Sequence, residues 1–279
     1  MRSEGVDAGR GESGNGLVAS QIAYYRAHAP RYDDWWFREG RHDLGDEYLE
    51  SWKAQIETVR TRLVEMGQLG DVLEFAGGTG NWTRELAVLS NSVTVLDASP
   101  EAVAIAREKV SGNVTWEITD IFQFHPARSF DTAFFGFWLS HVPAERFEEF
   151  WRLVGRCLRP DGRVFFIDNA HPLLARAVRP EFFDAGWRRE EQSLVEGIDT
   201  VTDLTTGIST RLAADGRHYR LVKIWREPEE LCSQLDDLGW SLEIASTEWA
   251  FIYGSGHQRP AGSFATRRMS QHRAGPGGA

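Results

Sequence analysis

The chain has 279 residues, enough to bury the core of one large domain or of a domain with a cap, and 42% of them are hydrophobic. Its net charge of −10 opposes docking along a phosphate backbone, and no run stays apolar over the roughly 20 residues that a membrane helix needs. Nucleic acid and membranes are therefore discounted as partners, and an N-terminus without the apolar core of a signal peptide implies a cytoplasmic protein.

Residues 1–17 are rich in Gly, Ser and charge and are expected to be disordered. Residues 18–46 then crowd Tyr, Trp, Arg and Asp together. This segment is either a helix stapled across a sheet edge, with Tyr24, Trp35 and Trp36 as core, or a lid over a ligand site. Trp52, Ile56, Val59, Leu63 and Val64 recur at helical spacing within Glu47–Gly67. An apolar run, Val72–Ala76, stops at Gly77, Gly78 and Gly80, and Trp82, Leu86 and Leu89 follow at helical spacing, which reads as strand, tight turn, helix. Such a turn lets backbone approach a ligand and leaves the first helical amides free as donors. Glu74, a carboxylate inside this apolar strand, is costly unless it receives hydrogen bonds from the glycine loop or faces a cationic ligand.

A second strand, Ser92–Leu96, ends in Asp97, where doubly wound folds hold the ribose hydroxyls of a nucleotide. Pro100 opens the next helix, and a third strand, Val114–Ile118, ends in Asp120, Ile121 and Phe122. A fourth strand over Phe130–Phe137 and a fifth over Gly162–Ile167 complete the alternation, separated by a helix whose apolar face is Phe147, Phe150, Trp151, Val154 and Leu158. Residues 170–224 are irregular. They hold a charged helix-like piece, Glu181–Glu191, and two short β-like runs, Ser209–Ala213 and Arg217–Ile224, joined by a hairpin signal at Asp215-Gly216. An insertion here sits over the carboxyl ends of the strands and is the candidate substrate cap. Leu231, Leu235 and Leu238 mark one more helix, Trp240–Glu248 and Trp249–Gly254 the last strands, and residues 263–279 a flexible tail. Cys157 and Cys232 lie in apolar helical patterns and read as reduced thiols.

These residues resemble the class I S-adenosylmethionine-dependent methyltransferases over about Tyr24 to Tyr253. Glu74, Ala76, Gly78 and Gly80 match the first motif, with Ala76 in place of the commonest glycine. Asp97 matches the ribose-binding acid, Asp120 with Ile121 the pair flanking the adenine, Phe130–Phe137 and His141 the fourth strand and its loop, and Leu158–Asp168 the approach to the fifth. The resemblance implies a doubly wound, Rossmann-like α/β sheet of seven strands, mostly parallel with the last antiparallel, in one domain spanning 18–262. It also implies S-adenosyl-L-methionine as cofactor, held by Tyr25, Tyr32, Glu74, Ala76, Gly78, Thr79, Gly80, Asp97, Ala98, Asp120, Ile121 and Phe137. In that family a Tyr-Asp pair such as Tyr32-Asp33 lies near the methionine end of the cofactor.

Methyl transfer is a displacement that needs positioning, and a base only if the acceptor must lose a proton. His141, in the loop after the fourth strand, is the candidate base, with an ordinary pKa of about 6.5, or else a structural cap. Trp36, Trp138, His171 and His218 are candidate substrate contacts. Asp168-Asn169 echoes the magnesium pair of some catechol methyltransferases, but Leu139, Ser140 and His141 lack the aspartate that completes such a site, so no metal is expected. No Asn-Pro-Pro-aromatic motif and no Pro-Cys nucleophile follow the fourth strand, which leaves oxygen or nitrogen of a small secondary metabolite as acceptor, for a monomer or homodimer. The rivals are a cofactor-retaining enzyme of other chemistry, a non-catalytic subunit, and a nicotinamide oxidoreductase, against which stand Glu74 and the Asp120-Ile121 pair.

Overall fold

A computed structural model describes residues 14–182, 184, 202–203 and 205–260. The parallel core of the sheet comes from β1 (Asp71–Phe75), β2 (Ser92–Asp97), β3 (Val114–Ile118), β4 (Phe130–Gly136) and β5 (Leu158–Asn169). With β9 (Trp240–Ser246) and β10 (Phe251–Gln258) the order is β3-β2-β1-β4-β5-β10-β9, and β10 runs antiparallel to both of its neighbours. This is the expected seven-stranded topology, with the reversal at the expected strand. The order turns back at β1 and β4, the place where open parallel sheets bind ligands beyond the strand ends.

Both faces of the sheet are covered, so the central strands read as continuous apolar runs whose side chains alternate between two cores. Leu73, Phe75, Phe135 and Phe166 face α6 (Phe147–Cys157) and α8 (Pro228–Asp237), where Trp151 and Trp240 are buried with ring centroids 5.0 Å apart. Val72, Phe134, Phe165 and Ile167 face α3 (Asp46–Glu65), which contributes Trp52, Ile56, Val59 and Leu63. Two shorter helices, α4 (Thr83–Leu89) and α5 (Pro100–Lys109), follow β1 and β2; Ser99 caps α5 by accepting the Ala102 amide at 3.0 Å.

The N-terminal helix α1 starts at Gly14 and runs to His28, so residues 14–17, expected to be disordered, are helical. Burial of Leu17 and Val18, the latter against the cavity described below, outweighs their glycine-rich surroundings. A short α2 (Tyr32–Phe37) ends at Arg38 (φ 58°), whose buried guanidinium lies 3.2 Å from the Trp52 ring centroid and 4.8 Å from that of Trp35. After β5, α7 (Pro172–Val178) leads into the region 170–224. There β6 (Thr202–Asp203), β7 (Ile208–Leu212) and β8 (His218–Val222) form a small antiparallel sheet with the expected hairpin between β7 and β8. Most of the expected helix-like piece Glu181–Glu191 and the expected tail 263–279 lie outside the described residues. α1 packs on β8 through Tyr24, Ala213 and Leu221, so the N-terminal segment and the inserted sheet are one packed unit. Among the described residues no helix is long and apolar enough to cross a membrane, and both cysteines are free thiols.

Candidate active site

Beyond the carboxyl ends of β1, β2 and β4 lies a cavity of about 770 Å3, including its open mouth. Six separate stretches of chain build it: Val18, Gln21, Ile22 and Tyr25 from α1; Tyr32; Ala76, Gly78 and Thr79; Asp97 to Ser99; Asp120 and Ile121; and Gly136, Phe137, Trp138 and His141. A smaller space shares Tyr32, Ala76, Gly78, Thr79, Gly136 and Phe137 with it and adds Trp36, Glu74, Asn81 and Trp82.

The loop after β1 is wound tightly. Ala76 and Gly78 both have φ of 55°, and a Cβ at Gly78 would project towards the Tyr32 ring. Left-handed backbone costs a residue with a Cβ about 1 kcal/mol, which explains why glycine is commonest at the position that Ala76 occupies. Phe137, opposite, is also left-handed at 56°, so both strained non-glycine residues of these two loops line the cavity. Gly80 serves differently. It does not line the cavity; a Cβ there would stand 3.0 Å from Val110 Cγ2 and 3.1 Å from Ala106 Cβ, so it lets the loop close onto α5.

Three carboxylates surround this loop. Asp97 accepts the Gly78 amide on one oxygen and the Ser99 amide on the other, each at 2.8 Å, which fixes its plane and leaves lone pairs for further donors. Burial raises its pKa against the pull of those two bonds. Glu74 is 2% exposed and accepts the Thr83 hydroxyl at 2.6 Å, so its partner within the protein is the first residue of α4 and not the glycine loop, one of the two partners, loop or cationic ligand, expected from sequence. Burial pushes its pKa up to about 8, with the nearby Asp97 charge adding to the rise. For Asp33, burial raises the pKa, but hydrogen bonds from Lys109, Thr79 (2.6 Å) and Asn81 (3.1 Å) prevail and hold it below the ordinary value. Asp33 thereby ties α2 to the loop and to α5. Asp120 accepts the Phe122 amide at 3.0 Å and sets the turn that presents Ile121 to the cavity.

The opposite end is polar in another way. The Tyr25 hydroxyl lies 2.8 Å from His141 Nε2, and His141 Nδ1 lies 2.6 Å from the Val222 carbonyl. A carbonyl only accepts, so Nδ1 carries the proton, and Nε2 of the neutral ring accepts from Tyr25. Burial, with the charges of Lys223 and Arg211, holds the His141 pKa well below its ordinary value. Lys223 is 5% exposed, and its ammonium donates to Ser140 Oγ at 2.9 Å and Asn169 Oδ1 at 2.8 Å, both neutral acceptors. The neighbouring carboxylate oxygen, Asp168 Oδ1, is 3.7 Å away, and both Asp168 oxygens accept backbone amides, from Ser140 at 2.8 Å and Asn169 at 2.7 Å. Burial lowers the Lys223 pKa to about 8 despite Asp168, and Arg211 adds to the fall. The Asp168-Asn169 pair thus faces the Lys223 ammonium; among the described residues no group of three His, Cys, Asp or Glu side chains is placed to hold a metal ion.

Of the residues singled out from sequence, the structure brings Tyr25, Tyr32, Ala76, Gly78, Thr79, Asp97, Ala98, Asp120, Ile121, Phe137, Trp138 and His141 to one cavity. Glu74 joins at the adjoining space, and so does Trp36, expected as a substrate contact, at the end where the resemblance puts the methionine portion. His171 and His218 stay outside. His171 caps α7 by accepting the Leu173 amide at 3.2 Å and packs on Trp225, while His218 is exposed at the start of β8. Gln21, Lys223 and Arg211 escaped the sequence reading. For Lys223 a signal existed, a charge at an apolar position of a β-like run, the same signal that marked Glu74; for Gln21 there was none.

Residues 72–162 match the family described as Methyltransferase domain. The chain is 29% identical over 181 residues to the demethylmenaquinone methyltransferase of Tropheryma whipplei strain Twist, spanning 64% of this chain and 68% of that one. Among solved structures, the DhpI-SAH complex superposes with a TM-score of 0.68 at 33% identity, covering 89% of this chain and 100% of that one. The DhpI-SAM-HEP complex gives 0.67 at the same identity, covering 88% and 100%. With that coverage, the seven-stranded topology and the carboxylates at the strand tips, the chain belongs to the class I S-adenosylmethionine-dependent methyltransferases.

Proposed function

We propose that this enzyme methylates an oxyanion of a small molecule, a carboxylate or a phosphorus oxyanion, bound at the cavity end that carries Tyr25 and His141. The cofactor supplies an electrophilic methyl on a sulfonium. Its adenosine suits the end of the cavity at Asp97, Asp120 and Ile121, where Asp97 offers lone pairs to two ribose hydroxyls and Ile121 an apolar surface. The methionine portion suits the space at Glu74, Gly78 and Trp36.

The observation that carries the choice of acceptor is the charge pattern at the other end. Lys223 is a buried ammonium whose two short hydrogen bonds go to neutral groups, the Asp168 carboxylate stands 3.7 Å away with both oxygens bonded to backbone amides, and the Arg211 charge acts on Tyr25, His141 and Lys223 together. An alcohol or ammonium acceptor needs a base. Here the candidate base has both ring nitrogens engaged and a depressed pKa, so it is a poor one. An acceptor that arrives ionised needs none: its oxygen lone pair makes the new O–C bond, the S–C bond electrons stay on sulfur, and no proton moves. In this reading His141 acts through Tyr25, whose hydroxyl it holds in place. His141→Ala is then expected to slow turnover about tenfold, leaving S-adenosylhomocysteine affinity within threefold and the pH profile unchanged. A loss of three orders of magnitude together with the acid limb of the profile makes it the base instead.

The test is calorimetric. The wild type is titrated with S-adenosylhomocysteine, and the loaded protein with acetate, inorganic phosphate, acetamide and methylammonium. An anion is expected to bind at least tenfold more tightly than either nitrogen probe, and Lys223→Gln to weaken it about tenfold with the nucleoside affinity unchanged. The chain's overall negative charge makes non-specific anion binding a poor imitation. Preference for methylammonium, or equal anion binding in the variant, overturns the acceptor assignment. Incubation with S-adenosylmethionine and the favoured acceptor class, read by mass for one added methyl, separates methyl transfer from other cofactor chemistry.

A further inference from the structure

Two residues one turn apart on α1, Gln21 and Tyr25, reach the acceptor end, and Gln21 is 2% exposed. Its amide nitrogen donates to the His141 carbonyl at 3.1 Å, and its carbonyl oxygen accepts the Val222 amide at 3.2 Å. Val222 in turn accepts His141 Nδ1 at 2.6 Å. Gln21, His141 and Val222 therefore close a ring of three hydrogen bonds across α1, the loop after β4 and β8. Tyr25 attaches to the remaining nitrogen of the same imidazole.

We infer that Gln21 is a positioning residue that couples docking of α1 to the construction of the acceptor end, so that His141 and Tyr25 are aligned only while α1 covers the cavity. The chemistry of the ring forces this coupling. His141 and Val222 are buried, and with α1 displaced the His141 carbonyl and the Val222 amide lose the one side chain that satisfies both. The Val222 carbonyl that fixes the imidazole tautomer belongs to the same peptide run, so the ring orientation and the Tyr25 bond are lost in the same event. α1 has further ties to the body, among them Arg26 to Glu101 at 2.9 Å, the Arg220 amide donated to Ser20 Oγ at 3.0 Å, and apolar packing on β8. The polar ties are on the exposed side and touch neither the His141 carbonyl nor the Val222 amide, so they do not replace Gln21 in alignment.

The functional meaning rests on the methyltransferase reading of this cavity, but the coupling does not. Hydrogen exchange by mass spectrometry on the ligand-free full chain, compared between wild type, Gln21→Leu and Gln21→Glu, tests it. Peptides covering 18–25, 139–142 and 219–224 are expected to exchange together in the wild type. In Gln21→Leu all three are expected to speed up at least tenfold while β1 and β4 do not change. Displacement of S-adenosylhomocysteine, followed by tryptophan fluorescence, is expected to quicken about tenfold. Gln21→Glu keeps the acceptor for Val222 and loses the donor to His141, and is expected to fall between; it decides on the same criteria where the leucine variant does not fold. Faster exchange confined to 18–25, or a displacement rate within twofold of wild type, overturns the inference. A wild type that takes no S-adenosylhomocysteine overturns the cofactor reading instead, and the exchange pattern still decides the coupling.

Discussion

Asp97→Ala is expected to weaken S-adenosylhomocysteine binding by two to three orders of magnitude. A hydrogen bond to a charged group contributes about 1.5–3 kcal/mol, and the carboxylate offers lone pairs to two ribose hydroxyls, so a loss of about 3–4 kcal/mol follows, at about 1.4 kcal/mol per tenfold in affinity. Part of the loss comes from the protein. The Gly78 amide, in a loop with φ of 55°, is held by Asp97 at 2.8 Å, and without it the loop is less ordered before ligand arrives. Asp97→Asn separates the two contributions, because one side-chain oxygen can still accept an amide; it is expected to cost about tenfold. Ligand-free stability is expected to change little, since removing a buried carboxylate whose pKa is raised offsets the loss of its two amide bonds. Calorimetric titration of the three proteins checks this, and a loss below fivefold in the alanine variant would place the ribose elsewhere.

What was legible in the sequence is what short-range order carries. A strand with an acid near its carboxyl end and a turn after it announces itself within about ten residues, as with Glu74 inside β1, Asp97 at the end of β2 and Asp120 just beyond β3, and the sheet then brings these tips together regardless of what lies between. The end at His141 was legible only in part: Tyr25 and His141 were singled out, but their pairing across 116 positions, and that of Gln21 with Val222 across 201, come from docking, and Gln21 does not stand out locally. The same logic explains His171 and His218. Residue type and approximate location suggested substrate contacts, yet one is spent on capping its own helix and the other sits on the solvent side of its strand. Trp36, expected as a substrate contact, lines the smaller space beside Glu74. Its ring centroid lies 5.8 Å from that of Trp82, which follows the glycine loop, so it is drawn to the Glu74 end.

Glu74 should make cofactor affinity depend on pH with a definite sign. Its folded pKa of about 8 lies above the ordinary carboxylate range, so in the ligand-free protein it is mostly protonated at neutral pH. A raised acid stabilises the fold fully below its unfolded value, and that contribution is lost as pH climbs through about 8. The α-ammonium of the cofactor, placed beside Glu74, reverses the preference by stabilising the ionised carboxylate. Binding below pH 8 is then expected to release one proton, and affinity to rise about tenfold per pH unit, or about thirtyfold between pH 6 and 7.5, before the ligand amine itself begins to deprotonate. Glu74→Gln keeps an acceptor for the Thr83 hydroxyl but cannot ionise, so its affinity should be flat over this window, close to wild type at pH 6 and far weaker at pH 7.5. Titrations of S-adenosylmethionine in two buffers of different ionisation enthalpy count the released proton directly. A wild type that releases none and binds equally well at both pH values would mean that Glu74 remains neutral, bonded to Thr83, and that the ammonium is held by Asp33 or by backbone carbonyls instead.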